Sequence, residues 1–474
     1  MNAPLKQLAK ETAIYGLPSI LARVLNFLFV SVYTRMLTQV QYGVVTEFLA
    51  YIAILQVLLV LGLETGCFRF ANKEEEDPRK VYSGALLAVT GLNLAFLAVM
   101  VGFSDVISSA LGYEGYRRLI IYIASILFCD SITAILFAKL RQEHKAVKFA
   151  IFKCIKIFTE IGANLFLFFV YPAKPDFTYP IFAIFISCVL CLALFVPDLL
   201  KLRLSWDGNL VKRMLAYSVP LMVAALPGVA NDFADRLLFR FFDTSAEAWR
   251  ASLGVYQAAV KLAVIMNLFI QMFRYASEPF FFQQAKEKGV RHLYALVMEY
   301  FTAFCAIVFL GVVGYIDIIS LFLGRDFRIG VVPIMLLSYM LLGMCFNVSM
   351  WYKLSERTNM AIWITLAGLA VTVIVNIVFM PKYSYWASAF GHLASYLTMF
   401  ILSAWLGSKY YPIPYNWKRI GLLFILMGLA YAVMFFTAPT EPGIHWVNIA
   451  LNTLVLGAFA MAAWLIVRRR PSTE

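Results

Sequence analysis

Apolar stretches long enough to cross a lipid bilayer recur along this whole chain. A helical span takes roughly 20 apolar residues. Fourteen such segments can be read, at about 11–34, 43–68, 81–103, 118–138, 149–171, 178–199, 214–238, 251–275, 292–316, 331–351, 360–380, 385–407, 419–437 and 446–467. Transmembrane barrel strands would instead alternate in segments of ~10 residues. Of the 474 residues, 62% are hydrophobic and only 14% charged, against about half and about a quarter in soluble domains. The fold class expected is an all-α integral membrane protein with about 14 transmembrane helices. The connections are short, and the longest charged one reads "RFANKEEEDPRK".

The first segment contains Pro18, Arg23 and Asn26, with no small-x-small cleavage site after it. It is expected to stay as the first span rather than be removed as a signal peptide. Orientation follows from the basic residues. Taking the N-terminus, the even-to-odd connections and the C-terminus as one side, and counting span ends with the loops they adjoin, 26 of the 40 Lys and Arg lie there and ten on the other, with Arg23, Lys153, Lys156 and Lys261 well inside spans. Both termini are therefore expected in the cytoplasm. The formal charge of +13 is mainly this topology signal, so no nucleic-acid partner is expected.

The seven cysteines all fall in predicted spans. Disulfides are not expected, and Cys188-x-x-Cys191 reads as two small apolar side chains rather than a metal pair. No Walker A, H-E-x-x-H or G-x-S-x-G motif occurs. Neither a cofactor, nor a metal, nor a catalytic set is expected, and the protein is not read as an enzyme.

A repeat shows in the echo of "IYGLP" (14–18) by "AYSVP" (216–220), and more weakly of "YGVVTEFLA" (42–50) by "LGVYQAAVKLA" (253–263). Six spans separate the copies, and an even number makes the repeat parallel. The expected organisation is an N-terminal lobe at 1–205 (spans 1–6), a second lobe at 206–410 (spans 7–12), and spans 13 and 14 with a cytoplasmic tail at 411–474.

Charges inside spans are the candidate functional residues, since each is costly in hydrocarbon. On the first span, steps of three and four give Thr12, Tyr15, Ser19, Arg23, Asn26, Val30 and Tyr33, a mostly polar stripe on one helix face. Arg23 lies roughly 16 Å along the helix at 1.5 Å per residue, near the middle of a ~30 Å core. It is expected to face protein or water. In the fifth span Lys153, Lys156, Glu160 and Asn164 share a face. Lys156 and Glu160 have the spacing to pair, and the two lysines either snorkel to the cytoplasmic interface or line a cavity. Asp232, Asp235 and Arg236 cluster in the seventh span, where Asp232 and Arg236 have pairing distance. Gln257 and Lys261 share a face of the eighth, and Gln271, Arg274 and Glu278 another. Asp130 and Thr133 sit midway along the fourth. His392 reads as a hydrogen-bonded core histidine. Cations dominate, and positive charge with polar walls suits an anionic, hydroxyl-rich solute. Head-group contacts are assigned to Arg23, Asn26, Lys261, Lys153 and Lys156. Asp130, Glu160, Asp232 and Asp235 are the candidates for carrying a coupling ion or proton.

The stretch 15–70, with Tyr42-Gly43 after the first span and "GLETGCFRFA" closing the second, resembles the opening of the polysaccharide-transporter (Wzx-type flippase) family, and "FRYASEPFFF" at 273–282 adds to the likeness. The resemblance implies membership of the multidrug/oligosaccharidyl-lipid/polysaccharide exporter superfamily, with two six-helix lobes and alternating access. It implies carriage of an undecaprenyl-pyrophosphate-linked oligosaccharide (an O-antigen, capsule or exopolysaccharide unit) from the inner to the outer leaflet of the bacterial inner membrane. The partners implied are that glycolipid, membrane lipids and a glycan polymerase or ligase machinery. The family's cavity cations would correspond to Arg23 and Lys261. Lipid II flippases of the same superfamily share the fourteen spans, and there the last two helices form a groove for the lipid tail, as 419–467 would here. They carry several cavity arginines in the first lobe, whereas this chain has only Arg23 there. The rival readings are a lipid II flippase, a cation-coupled multidrug antiporter, whose cavity should be acidic, a membrane polymerase or ligase, which needs a large outer loop, and an envelope scaffold.

Overall fold

A helix bonds all its backbone groups within itself, which is what a chain in hydrocarbon requires. The computed structural model describes residues 3–468 apart from 73, 75, 203, 243–244, 285–288, 325–326, 328, 356 and 440–444. The described side chains also leave out 3–15, 17, 19, 242, 246, 275–276, 278–280 and 282–284, so Thr12, Tyr15, Ser19 and Glu278 lie outside them. The described chain is helical throughout, without strands. Among the described residues, twelve helices are long and apolar enough to cross a membrane by length and composition. This is a multi-pass membrane protein.

Contacts group the chain into two compact units, 1–26 with 36–237 and 27–35 with 238–474. The first holds most of α1 (Ala3–Met36), with α2 (Gln39–Val60), α3 (Leu63–Ala71), α4 (Pro78–Gly102), α5 (Ser104–Ala110), α6 (Arg117–Gln142), α7 (Ala146–Leu165), α8 (Thr178–Leu194), α9 (Val196–Lys201) and α10 (Gly208–Phe242) as far as Leu237. Local sequence sets several ends. Thr38 and Gln41 form a reciprocal capping box at the start of α2. Asp77 caps α4, with proline at its first position.

Helix α6 is the hub of this unit, packing on α2, α3, α4, α7 and α8. The second predicted span breaks where Leu61 and Gly62 both take positive φ (56° and 65°). The break brings α3 against α10. A Cβ on Gly62 would lie 2.6 Å from the Ser218 carbonyl oxygen, and one on Gly66 would overlap the Ser218 hydroxyl. Leu210 and Met214 of α10 then complete a core with Leu63, Cys67, Phe70 and Val81.

The second unit contains α11 (Ala246–Gln284), α12 (Val290–Gly314), α13 (Ile316–Ser320), α14 (Val332–Val348), α15 (Met350–Leu354), α16 (Met360–Tyr383), α17 (Tyr385–Tyr410), α18 (Trp417–Phe436) and α19 (Trp446–Arg468). It also takes in the end of α1. There Gly324 N–H donates to the Thr34 hydroxyl (3.0 Å), Arg35 donates to the Leu321 carbonyl (2.7 Å), and Phe27 stacks on Phe322 at 5.0 Å. Helix α14 packs on α11, α12 and α17, and α16 pairs with α17. The last two helices dock on α12. Asn452 donates to the Gly314 carbonyl (2.8 Å), and Arg419 pairs with Glu299 (3.2 Å). All seven cysteines are free thiols.

Two pairs of substitutions test these joints. Gly62→Ala should destabilise the protein by about 2 kcal/mol, from left-handed strain and overpacking, while Gly91→Ala, with nothing within 4 Å of its Cβ position, should leave the melting temperature unchanged. Glu299 and Arg419 have side chains only 5% and 19% exposed. Arg419→Met alone should therefore cost about 3 kcal/mol by stranding a buried carboxylate, and Glu299→Leu beside it should restore most of the loss. Thermal unfolding in detergent reads both.

Candidate functional site

The charged residues of α6 and α7 come together. Lys156 donates to Asp130 at 2.5 Å, with side chains 18% and 26% exposed. The spacing along α7 allowed Lys156 to pair with Glu160, but the structure gives Lys156 to Asp130 on the neighbouring helix. The physical reason is reach. Helix α6 packs on α7, and a lysine stem extends across a helix interface as readily as along its own helix. Glu160, one turn on, lies in the field of Lys156, and the buried Cys188 of α8 lies beside Asp130. Lys153 sits over the Phe137 ring at 4.1 Å, a cation–π contact. Asn164 is buried and donates to the Glu160 carbonyl (2.9 Å), while its own Oδ1 has no hydrogen-bond partner. Two kinds of candidate, cations for a head group and acids for a coupling ion, thus meet in one cluster.

On α1, Arg23 and Asn26 are both exposed. Farther along the expected polar stripe Val30 is buried and Tyr33 half-buried, so the exposed part of the stripe stops before the last turns of the helix. In α10 Asp232 is exposed and Asp235 buried. Arg236 does not turn to Asp232: its guanidinium lies 4.5 Å from the Phe233 ring, and its backbone N–H donates to Asp235 (2.8 Å).

In the second unit Gln257 is 1% exposed, and its Oε1 has no hydrogen-bond partner. Lys261, one turn along α11, is half-buried. His392 is buried against the Tyr396 ring, with centroids 5.6 Å apart, a core position. Glu47 escaped the sequence reading although it is fully buried in α2. It accepts hydrogen bonds from Tyr51 (2.9 Å) and Tyr113. The tyrosine four residues on was the available signal. Among the described residues, no three His, Cys, Asp or Glu side chains gather as metal ligands.

The profile of the polysaccharide biosynthesis protein family matches residues 8–285. The chain belongs to this family. The family lies in the superfamily expected from the sequence motifs. Among solved structures, the lipid II flippase MurJ in an inward closed conformation aligns at TM-score 0.75 and 15% identity, over 96% of this chain and 99% of its own. A multidrug resistance MATE family transporter in its inward-facing conformation aligns at TM-score 0.60 and 13% identity, over 84% and 94%. A MATE protein in complex with MaD3S aligns at TM-score 0.58 and 14% identity, over 84% and 95%. These likenesses establish the fold. A search of curated proteins finds no match.

In this family member the Asp130–Lys156 pair is testable by a mutant cycle. Lys156→Met should cost about 3 kcal/mol by leaving a carboxylate unpaired, and Asp130→Asn with Lys156→Met should recover at least half of it. Thermal melts of the two variants against the wild type check the sign.

Proposed function

We propose that the protein is a flippase that moves an undecaprenyl-pyrophosphate-linked oligosaccharide from the cytoplasmic to the outer leaflet by alternating access, in the inner membrane of a bacterium with both termini in the cytoplasm. The observation that carries this reading is Arg23. Among the cations placed within the first unit's spans, Lys156 is held by Asp130 and Lys153 by an aromatic face. Arg23 is exposed on α1, with the Asn26 amide beside it one turn on. A guanidinium matches a pyrophosphate through paired, charge-assisted hydrogen bonds. Lys261 with Gln257 is the proposed second contact, on α11. Asp130, Glu160, Asp232 and Asp235 are the proposed carriers of a coupling ion or proton.

The chemistry suits such a carrier. A pyrophosphate-sugar head cannot cross hydrocarbon without losing its hydration, whereas the polyprenyl tail never needs to leave it. A membrane potential would drive an anionic head outward by ~2.3 kcal/mol per charge per 100 mV. Lipid II as the cargo is the second reading, favoured by the alignment with a lipid II flippase over nearly the whole chain.

The test is Arg23→Ala in cells, scored for surface glycan and for protein level. Export should fall at least ~10-fold, the loss of roughly 1.4 kcal/mol, with unchanged protein in the membrane, and Arg23→Lys should recover part of it. Wild-type export by the alanine variant at normal protein levels contradicts the assignment. Rescue of a lipid II flippase deletion, with surface glycan unaffected, would move the assignment to the second reading.

A further inference from the structure

A cavity of about 80 Å³ opens in the second unit between α11, α14 and α15. It lies at the end of these helices that the Lys and Arg bias places toward the cytoplasm. Its walls divide by chemistry. Phe273 and Phe346 supply apolar surface, while Arg274, Lys353, Ser277 and Tyr352 supply polar groups. The Arg274 guanidinium lies 4.8 Å from the Phe346 ring, which fixes the plane of its fork. Asn347 also lines the cavity. It is 3% exposed, and neither its Nδ2 nor its Oδ1 has a hydrogen-bond partner. Glycine at 343 brings α14 this close to its neighbours, because a Cβ there would lie 2.6 Å from the Phe301 ring and 2.9 Å from Ile270.

A buried carboxamide with both ends unpaired is costly, and such a group in a native protein calls for an explanation. A ligand able to accept from its N–H₂ would supply one. Two cationic side chains lining one cavity select an anion. The aromatic surface beside them selects an anion that carries hydrocarbon. Basic pockets between transmembrane helices at the cytoplasmic face are also a recurring type of lipid head-group site.

We propose that this cavity binds the phosphate of a membrane lipid. Arg274 and Lys353 contact the phosphate oxygens, Asn347 donates to an oxygen on the buried side, and Phe273 and Phe346 cover the first methylenes of the chain. Two lipids share this chemistry, an anionic phospholipid of the bilayer and a polyprenyl phosphate. The site is independent of the transport reading, since it is defined by equilibrium binding and uses none of the residues assigned to head-group or ion contact there.

The full-length protein, reconstituted in phosphatidylcholine nanodiscs, is titrated with phosphatidylglycerol and, separately, with undecaprenyl phosphate, and bound lipid is read by native mass spectrometry. At least one should bind saturably over the phosphatidylcholine background, and the one that binds identifies the source. Arg274→Gln and Asn347→Leu should each weaken that binding at least tenfold. Lys353→Gln, also in the cavity lining, serves where Asn347→Leu does not fold. Binding by all folded variants equal to that of the wild type, or no binding of either anionic lipid above background, overturns the proposal.

Discussion

A polar group in hydrocarbon has no water to bond with, and that constraint shapes every level of this molecule. At the backbone it leaves the helix as the form a single segment can take. At the side chains it requires each buried polar group to find a partner on a neighbouring helix. Many do so within their own unit. Asn93 of α4 donates to the Leu59 carbonyl (3.1 Å), Ser388 to Asn376 (2.8 Å), Trp351 to Ser403 (3.2 Å), and Ser349 shares a hydrogen bond with Ser403 (2.9 Å). Such bonds between membrane helices contribute about 0.6 kcal/mol on average, so their weight lies in fixing which faces meet.

Ion pairs follow a gradient of burial. At the rim of the first unit assigned to the cytoplasm, Arg141 pairs with Glu64 (3.2 Å), Arg213 with Glu76 (2.8 Å) and Lys148 with Asp198 (2.6 Å), all partly exposed. Each contributes roughly 0–1 kcal/mol. Deeper in, Asp130–Lys156 and Glu299–Arg419 are shielded. There the pair matters chiefly because neither member tolerates being left alone. Against this background, Arg23 is exposed on α1 and both ends of the buried Asn347 carboxamide lack a hydrogen-bond partner, and the two proposed phosphate contacts are built on these residues.

Hydropathy made the helices legible, since every predicted span corresponds to a long helix or helix pair. What it missed has physical causes. The break at Leu61–Gly62 depends on the approach of α10, a contact remote in sequence. Helices α10 and α11 run past the predicted span ends because a helix does not stop where lipid does, and α10 carries Pro220 and Pro227 within it. Nothing in the sequence of α1 announces that residues 27–35 group with the second unit. Of the candidate site, the positions of the charges were legible but not their partners. Sequence spacing relates Lys156 to Glu160 on the same helix, while packing brings Asp130. Asn347 sat unnoticed in an apolar run, because only the cavity around it gives it meaning.

The proposed carrier requires the Arg23–Asn26 face of α1 to meet water inside the membrane. Asn26→Cys in a background free of the native cysteines, challenged in intact membranes with a membrane-impermeant maleimide, measures this directly, because a thiol in lipid does not ionise. Rapid labelling that added glycolipid slows is the expected result. A residue that resists the impermeant reagent, yet reacts once the protein is unfolded, would contradict it.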